Sequence, residues 1–223
     1  MPPREGSASR APDGVGPVEP GDVLERGRPG RGGARPIFYY DLGSPYAYLA
    51  AERINQLFAE PPVWQPILLG GVWKVTGGRS WAVTDRRAEG VAEVERRAAE
   101  YGLQPIRWPE GWPNNTLAAM RAATFAKQTG RVVAFSLAAF RQAFAAGRDL
   151  SDPDNLLLAA AACELHPNAV LRAIESSSIK QRLRQATQEA IARGVTGVPT
   201  VAVGDELFWG DDRLEEAAAA TAT

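Results

Sequence analysis

Apolar and polar positions change rhythm three times along the chain. Residues 1–35 show neither the alternation of a strand nor the period of a helix, and they hold fourteen glycines and prolines among mixed charges. Such a stretch buries too little apolar surface to offset the entropy lost on ordering, so it is expected to be a disordered leader. Order begins at Ile37-Phe38-Tyr39-Tyr40, an aromatic and β-branched run that predicts a buried strand. Asp41-Leu42-Gly43-Ser44-Pro45 then turns the chain. Ser44 suits a helix N-cap and Pro45 a first helical position. Ala50, Ile54, Leu57 and Phe58 follow at helical spacing, and Glu60-Pro61-Pro62 stops the helix. Residues 63–69 predict a second strand, in which Pro66 requires an edge or a bulge. Strand, helix and strand in this order predict a parallel pair with the helix crossing between them.

From Gly70 the pattern becomes mainly helical. Residues 70–81 are glycine-rich, carry Trp73 and Trp81, and read as a loop or a short helix between loops. Residues 85–101 predict a charged amphipathic helix, and 106–115 a proline-broken connection. Two helices parted near Gly130 are expected over 116–147. Ser151-Asp152-Pro153 starts an alanine-rich helix expected to reach Leu165, where His166-Pro167 breaks it. Further helix is expected through Ile179, Leu183, Ala186 and Ala190. Strands return at 200–203 and 206–209 around the turn signal Gly204-Asp205, and a last helix follows from Leu214. The prediction is an α/β thioredoxin-like fold, β-α-β at the start and β-β-α at the end. Residues 36–69 and 194–223 form its sheet-bearing part, and 70–193 form a large helical insertion.

Composition narrows the function. Hydrophobic residues make up 45% of the 223, enough for a sizeable core, and the net charge of -1 argues against a nucleic-acid partner. Cys163 is the single cysteine, so no internal disulfide forms and no oxidising compartment is implied. No stretch reaches the roughly 18 apolar residues of a membrane span, and 1–35 lack the apolar run of a secretory signal. A cytoplasmic location with no membrane partner is expected. There is no zinc-type cluster, P-loop or Ser-His-Asp arrangement, so no metal is expected. Cys163 reads as a buried inert thiol and His166 as a loop residue.

Three short constellations carry chemistry. The first is Gly43-Ser44-Pro45-Tyr46. A helix start offers unpaired N–H groups and about half a positive charge, which lowers a thiol's pKa or receives an anion. A redox thioredoxin opens this helix with a Cys-x-x-Cys pair, whereas this chain has Ser44 and Ala47 there. Ser44 either simply caps the helix or donates a hydrogen bond to another molecule's thiolate. The second is Thr196-Gly197-Val198-Pro199-Thr200. It reads as a plain turn or as a cis-proline loop facing the helix start, with the Val198 backbone free to pair with a thiol-bearing peptide. The third is Gly210-Asp211-Asp212-Arg213. Its carboxylates either favour the following helix through its dipole or hold a substrate ammonium.

Ser44-Pro45-Tyr46 after an aromatic strand, Gly197-Val198-Pro199-Thr200, and Phe208-Trp209-Gly210-Asp211-Asp212-Arg213 occur in that order around a helical middle. Together they resemble the 2-hydroxychromene-2-carboxylate isomerases and kappa-class glutathione transferases of the DsbA-like thioredoxin superfamily, from residue 37 to about residue 216. The resemblance implies glutathione, or another low-molecular-weight thiol, as cofactor or substrate. It implies that Ser44 is the catalytic residue and hydrogen-bonds the sulfur, with Pro45 and Tyr46 beside it. It implies that Val198, before cis-Pro199, pairs with the cysteinyl backbone, and that Asp211 and Asp212 approach the γ-glutamyl end. A homodimer is also implied. In an isomerase of this kind the thiolate adds to a conjugated carbon, permits rotation and leaves.

The chain departs from that family in one place. Members carry an asparagine in the loop after the second strand, and alignment from Lys74 puts Gly78 there, followed by Arg79. Trp73, Lys74, Arg79 and Trp81 either line a substrate pocket, with a cation pairing an acidic substrate, or are core tryptophans and solvated cations. The leading expectation is a glutathione-dependent isomerase acting on a small conjugated aromatic-degradation substrate. A kappa-like glutathione transferase acting on electrophiles is one alternative, and a non-catalytic thioredoxin-like thiol- or peptide-binding protein is another. The absence of a thiol at position 44 disfavours a disulfide oxidoreductase.

Overall fold

The structure, a computed structural model, describes Met1 and residues 35–221. Apart from Met1 and Arg35, the expected leader lies outside the described residues. The described residues hold four strands, β1 (Ile37–Tyr40), β2 (Val63–Pro66), β3 (Thr200–Val203) and β4 (Glu206–Trp209), in one sheet of order β2-β1-β3-β4. β1 pairs parallel with β2, Ile37 opposite Val63, and β3 runs antiparallel to both β1 and β4. This is the β-α-β and β-β-α topology that the sequence predicts.

Helix α1 (Pro45–Leu57) crosses from β1 to β2. β2 is shorter than expected and stops at Pro66. A proline lacks the N–H that would continue the ladder, and an edge strand tolerates that loss. The next amide, Ile67 N, donates to Tyr40 O at 3.0 Å, and the glycine-rich stretch then forms α2 (Leu69–Thr76). α2 closes on Gly77 in the left-handed conformation, φ 77°, as a C-terminal glycine allows. A short turn of helix, Trp81–Val83, leads to α3 (Arg87–Glu100).

The helical middle continues through α4 (Leu117–Gln128), α5 (Val132–Phe140), α6 (Pro153–Ala161), α7 (Pro167–Glu175) and α8 (Ser177–Ala192). α6 ends at Ala161, short of Leu165. His166 is a helix cap rather than a plain loop residue, its Nδ1 accepting from Asn168 N at 3.2 Å at the start of α7. Ser176 divides the expected following helix into α7 and α8. α9 (Leu214–Ala220) closes the described chain.

The sheet is covered on both faces. Phe38, Tyr40, Val201 and Phe208 share one buried cluster with residues of α1, α4, α5 and α9. Phe38 meets the Trp64 ring edge-on at 4.9 Å, and the Tyr40 hydroxyl reaches Ser136 Oγ in α5 at 2.6 Å. Tyr39 and Ala202 alternate to the other face, with Ile67, Val72 of α2 and Ala190 of α8. The described residues 35–221 therefore pack as one compact unit. Cys163 is buried beyond α6, where burial raises its thiol pKa. Among the described residues no helix is long and apolar enough to cross a membrane.

Candidate functional site

A cleft of about 990 Å³ opens where the start of α1, the loop before β3 and the α2–α3 segment meet. Ser44 lies on it and is 6% exposed. Its extended backbone makes it the N-cap of α1, and its Oγ accepts from Ala47 N at 3.2 Å. The hydroxyl proton has no acceptor among the described residues, and the Tyr46 amide has no partner either. Pro45 has no N–H to offer. The helix start thus presents an O–H, an N–H and the positive end of the dipole to the cleft. Burial raises the Tyr46 phenol's pKa, against the pull of Arg97, whose guanidinium lies 5.6 Å from the ring centre.

The Val198–Pro199 peptide is cis, as the sequence suggests, and Trp112–Pro113, also at the cleft, is cis as well. The loop around Val198 is pinned on both sides. Gly197 O accepts from the Thr200 hydroxyl at 2.8 Å, and Pro199 O accepts from Gly210 N at 3.0 Å. Val198 itself is 6% exposed, yet neither its N–H nor its carbonyl has a partner among the described residues. Buried backbone groups are seldom left so, and here the residue lines the cleft.

The acidic pair divides. Asp211 is fully buried and committed to the protein, accepting from Arg97 at 3.0 Å and from the Tyr101 hydroxyl at 2.9 Å. Burial raises its pKa, with Arg97 and Tyr101 opposing, and burial with the neighbouring Asp211 charge pushes Tyr101 up to about 12. Asp212 is the exposed member, 3.3 Å from the same Arg97 guanidinium. Gly210, at φ 122°, lets it sit there, since a Cβ on that residue would stand 2.3 Å from Asp212 Oδ1.

Asp41 escaped the sequence reading. It is 6% exposed at the cleft, and its carboxylate accepts from Gly43 N at 2.9 Å, Leu69 N at 2.9 Å and the Thr116 hydroxyl at 3.1 Å. One side chain therefore ties the Ser44 turn to the starts of α2 and α4. Burial raises its pKa, and these hydrogen bonds oppose the rise. The Asp-x-Gly turn before the cap was the local signal. Its two distant partners left none.

Trp73, Arg79 and Trp81 line the cleft, and Lys74 does not. Lys74 is exposed in the last turn of α2. Adjacent helical residues point about 100° apart, so Trp73 and Lys74 do not share a wall. Trp81 contacts Trp112 at 5.3 Å and Tyr46 at 6.3 Å between ring centres, and Arg87 sits 5.4 Å over Trp112. The pyrrole edge of Trp73 lies over Gly78, 2.3 Å from where a Cβ would stand. An asparagine at position 78 would thus require this indole to move. Among the described residues no group of three or more His, Cys, Asp or Glu is placed to hold a metal ion.

A family model described as the DSBA-like thioredoxin domain matches residues 37–222. A 2-hydroxychromene-2-carboxylate isomerase of Sphingobium xenophagum is 29% identical over 185 residues, covering 80% of this chain and 93% of that protein. Glutathione S-transferase kappa 1 of Homo sapiens is 24% identical over 194 residues, covering 79% of this chain and 86% of that protein. A solved 2-hydroxychromene-2-carboxylate isomerase matches with a TM-score of 0.76 at 24% identity, over 84% of this chain and 94% of its own, a likeness of fold. With a family match from β1 to beyond α9, the chain belongs to the DSBA-like thioredoxin domain family.

Proposed function

We propose that this protein is a glutathione-dependent enzyme, an isomerase of the 2-hydroxychromene-2-carboxylate type. The observation that carries the reading is the Ser44 hydroxyl, buried at the start of α1 with a proton that no group among the described residues accepts. That hydroxyl suits a sulfur acceptor, and the α1 dipole favours the sulfur's anionic form. The N–H and carbonyl of Val198, unpaired among the described residues, suit the backbone of an extended cysteinyl peptide, paired like an added strand. Asp212, held by Arg97, suits the γ-glutamyl ammonium, while Asp211 positions Arg97. When bound, glutathione would supply a nucleophilic thiolate able to add to a conjugated carbon and leave again. Ser44 and the helix start would keep that sulfur deprotonated near neutral pH.

A disulfide oxidoreductase fits these residues poorly. Positions 44 and 47 are serine and alanine, and Cys163 does not line the cleft. A cytoplasmic site, where thiols stay reduced, goes with the proposal. The similarity to a kappa transferase favours one second reading, conjugation without release of the thiol.

The test is calorimetric titration with reduced glutathione, followed by turnover of 2-hydroxychromene-2-carboxylate with glutathione present. The expected result is binding and glutathione-dependent isomerisation, with Ser44→Ala weakening binding roughly tenfold, the worth of one hydrogen bond, and abolishing most turnover. A stable glutathione adduct as the only product would select the transferase reading. Unchanged binding and turnover in Ser44→Ala would overturn the role given to Ser44.

A further inference from the structure

The chain's six tryptophans fall into two groups. The indole N–H groups of Trp64, Trp108 and Trp112 donate to Asn55 at 3.2 Å, Glu95 at 2.8 Å and the Gly43 carbonyl at 3.4 Å. Those of Trp73, Trp81 and Trp209 have no acceptor among the described residues. These three all line the cleft, and each rests on a glycine. A Cβ at Gly78 would stand 2.3 Å from Trp73, one at Gly90 2.3 Å from Trp81, and one at Gly197 2.7 Å from Trp209. None of these glycines has a positive φ, so the backbone does not require glycine there. The missing side chain makes room for the indole. Tryptophans placed for core packing ordinarily give their N–H a partner. Arg79, on the same cleft, also has no partner among the described residues.

We propose that Trp73 and Trp81, with Trp209 at the rim, are specificity-determining walls for the acceptor substrate, and that Gly78 and Gly90 set their positions. Sinking the indoles onto bare backbone keeps the cleft wide while leaving ring surface on its walls and the N–H of Trp81, whose ring meets Gly90 by its opposite, benzene edge, clear of that glycine. The ligand that uses both is a flat conjugated molecule carrying oxygen acceptors. The assignment rests on the enzymatic reading above for its purpose. It does not depend on the thiol site for its test.

The experiment follows the six indole N–H resonances of the nitrogen-15-labelled protein, assigned by single Trp→Phe changes, during titration with 2-hydroxychromene-2-carboxylate without any thiol. The Trp73 and Trp81 signals are expected to move together as the ligand saturates, and the buried Trp64 signal to stay still. Gly78→Ala and Gly90→Ala are expected to raise the ligand's dissociation constant about tenfold, the scale of one lost aromatic contact. Should either alanine variant fail to fold, Trp73→Phe reduces the ring wall, Trp81→Phe removes a donor, and both are expected to weaken binding likewise. The proposal is overturned if neither signal moves, or if all the folded variants bind the ligand as tightly as wild type. A parallel titration with glutathione separates the two readings. Moving tryptophan signals without glutathione binding would leave the walls standing and remove the thiol cofactor.

Discussion

The two sides of the cleft are built by different means. On the sheet side backbone frames the site: the start of α1 behind the Ser44 hydroxyl, and the N–H and carbonyl of Val198, which have no partner among the described residues. On the helical side the features are side chains alone, with Trp73 and Trp81 laid against glycines and Arg79 without a partner among the described residues. A backbone wall follows from topology and serves any ligand with the same peptide-like frame. A side-chain wall can change with single substitutions. The difference teaches where constancy and variation can reside in one cleft: under the proposed function, the sheet side would take a common cofactor and the helical side would choose what reacts with it.

The largest effect is expected where the two sides are bolted together. Arg97, on α3, bridges Asp211 and Asp212, and its replacement leaves the buried Asp211 carboxylate with the Tyr101 hydroxyl as its remaining hydrogen-bond donor among the described residues. Arg97→Met should cost about 3 kcal/mol of stability, as breaking a buried pair does, with a lower denaturant midpoint at an unchanged slope. A loss too small to measure would mean the bolt is not structural.

Asp41 is the next hinge of the comparison, since it ties the Ser44 turn to α2 and α4. Asp41→Asn keeps one acceptor oxygen where the carboxyl has two, and should cost about 1–3 kcal/mol at acid pH and less as pH rises. Burial raises the folded-state pKa of Asp41, so the native protein holds that proton more tightly than the unfolded chain. The group's contribution is therefore fully present below the unfolded value, about 3.9, and is lost as pH rises through the folded one. Denaturant unfolding across that window should show the wild type losing more stability with rising pH than Asp41→Asn does. Parallel profiles would contradict this.

Much of the sheet side was legible from local signals. The Ile37–Tyr40 run, the Ser44-Pro45 cap, and the hairpin around Gly204-Asp205 each occupy consecutive residues. β2 was overextended because Ile67 and Leu68 continue an apolar run, while the edge position and Pro66 end the ladder. What stayed hidden depends on partners far apart in sequence. Arg97 and Asp211 stand 114 residues apart, and Asp41 reaches Leu69 and Thr116. Nothing local announces such pairs, and so the sequence alone groups Asp211 with Asp212. Lys74 was grouped with Trp73 by adjacency, which helical geometry undoes.

The smallest effect sharpens the same boundary. Lys74→Ala should change stability by less than about 0.5 kcal/mol and leave the binding of 2-hydroxychromene-2-carboxylate unaltered, measured in the indole titration. A weakened ligand would bring Lys74 into the cleft after all.

The central claim is that the sheet side holds a thiolate through Ser44. The most direct measurement is the pH titration of thiolate ultraviolet absorbance in the glutathione complex, for wild type and Ser44→Ala. The account predicts that bound glutathione ionises well below a free thiol's pKa of about 8.5, and that Ser44→Ala moves the midpoint back up. A midpoint equal to that of free glutathione in wild type, or one unmoved by the substitution, would contradict it.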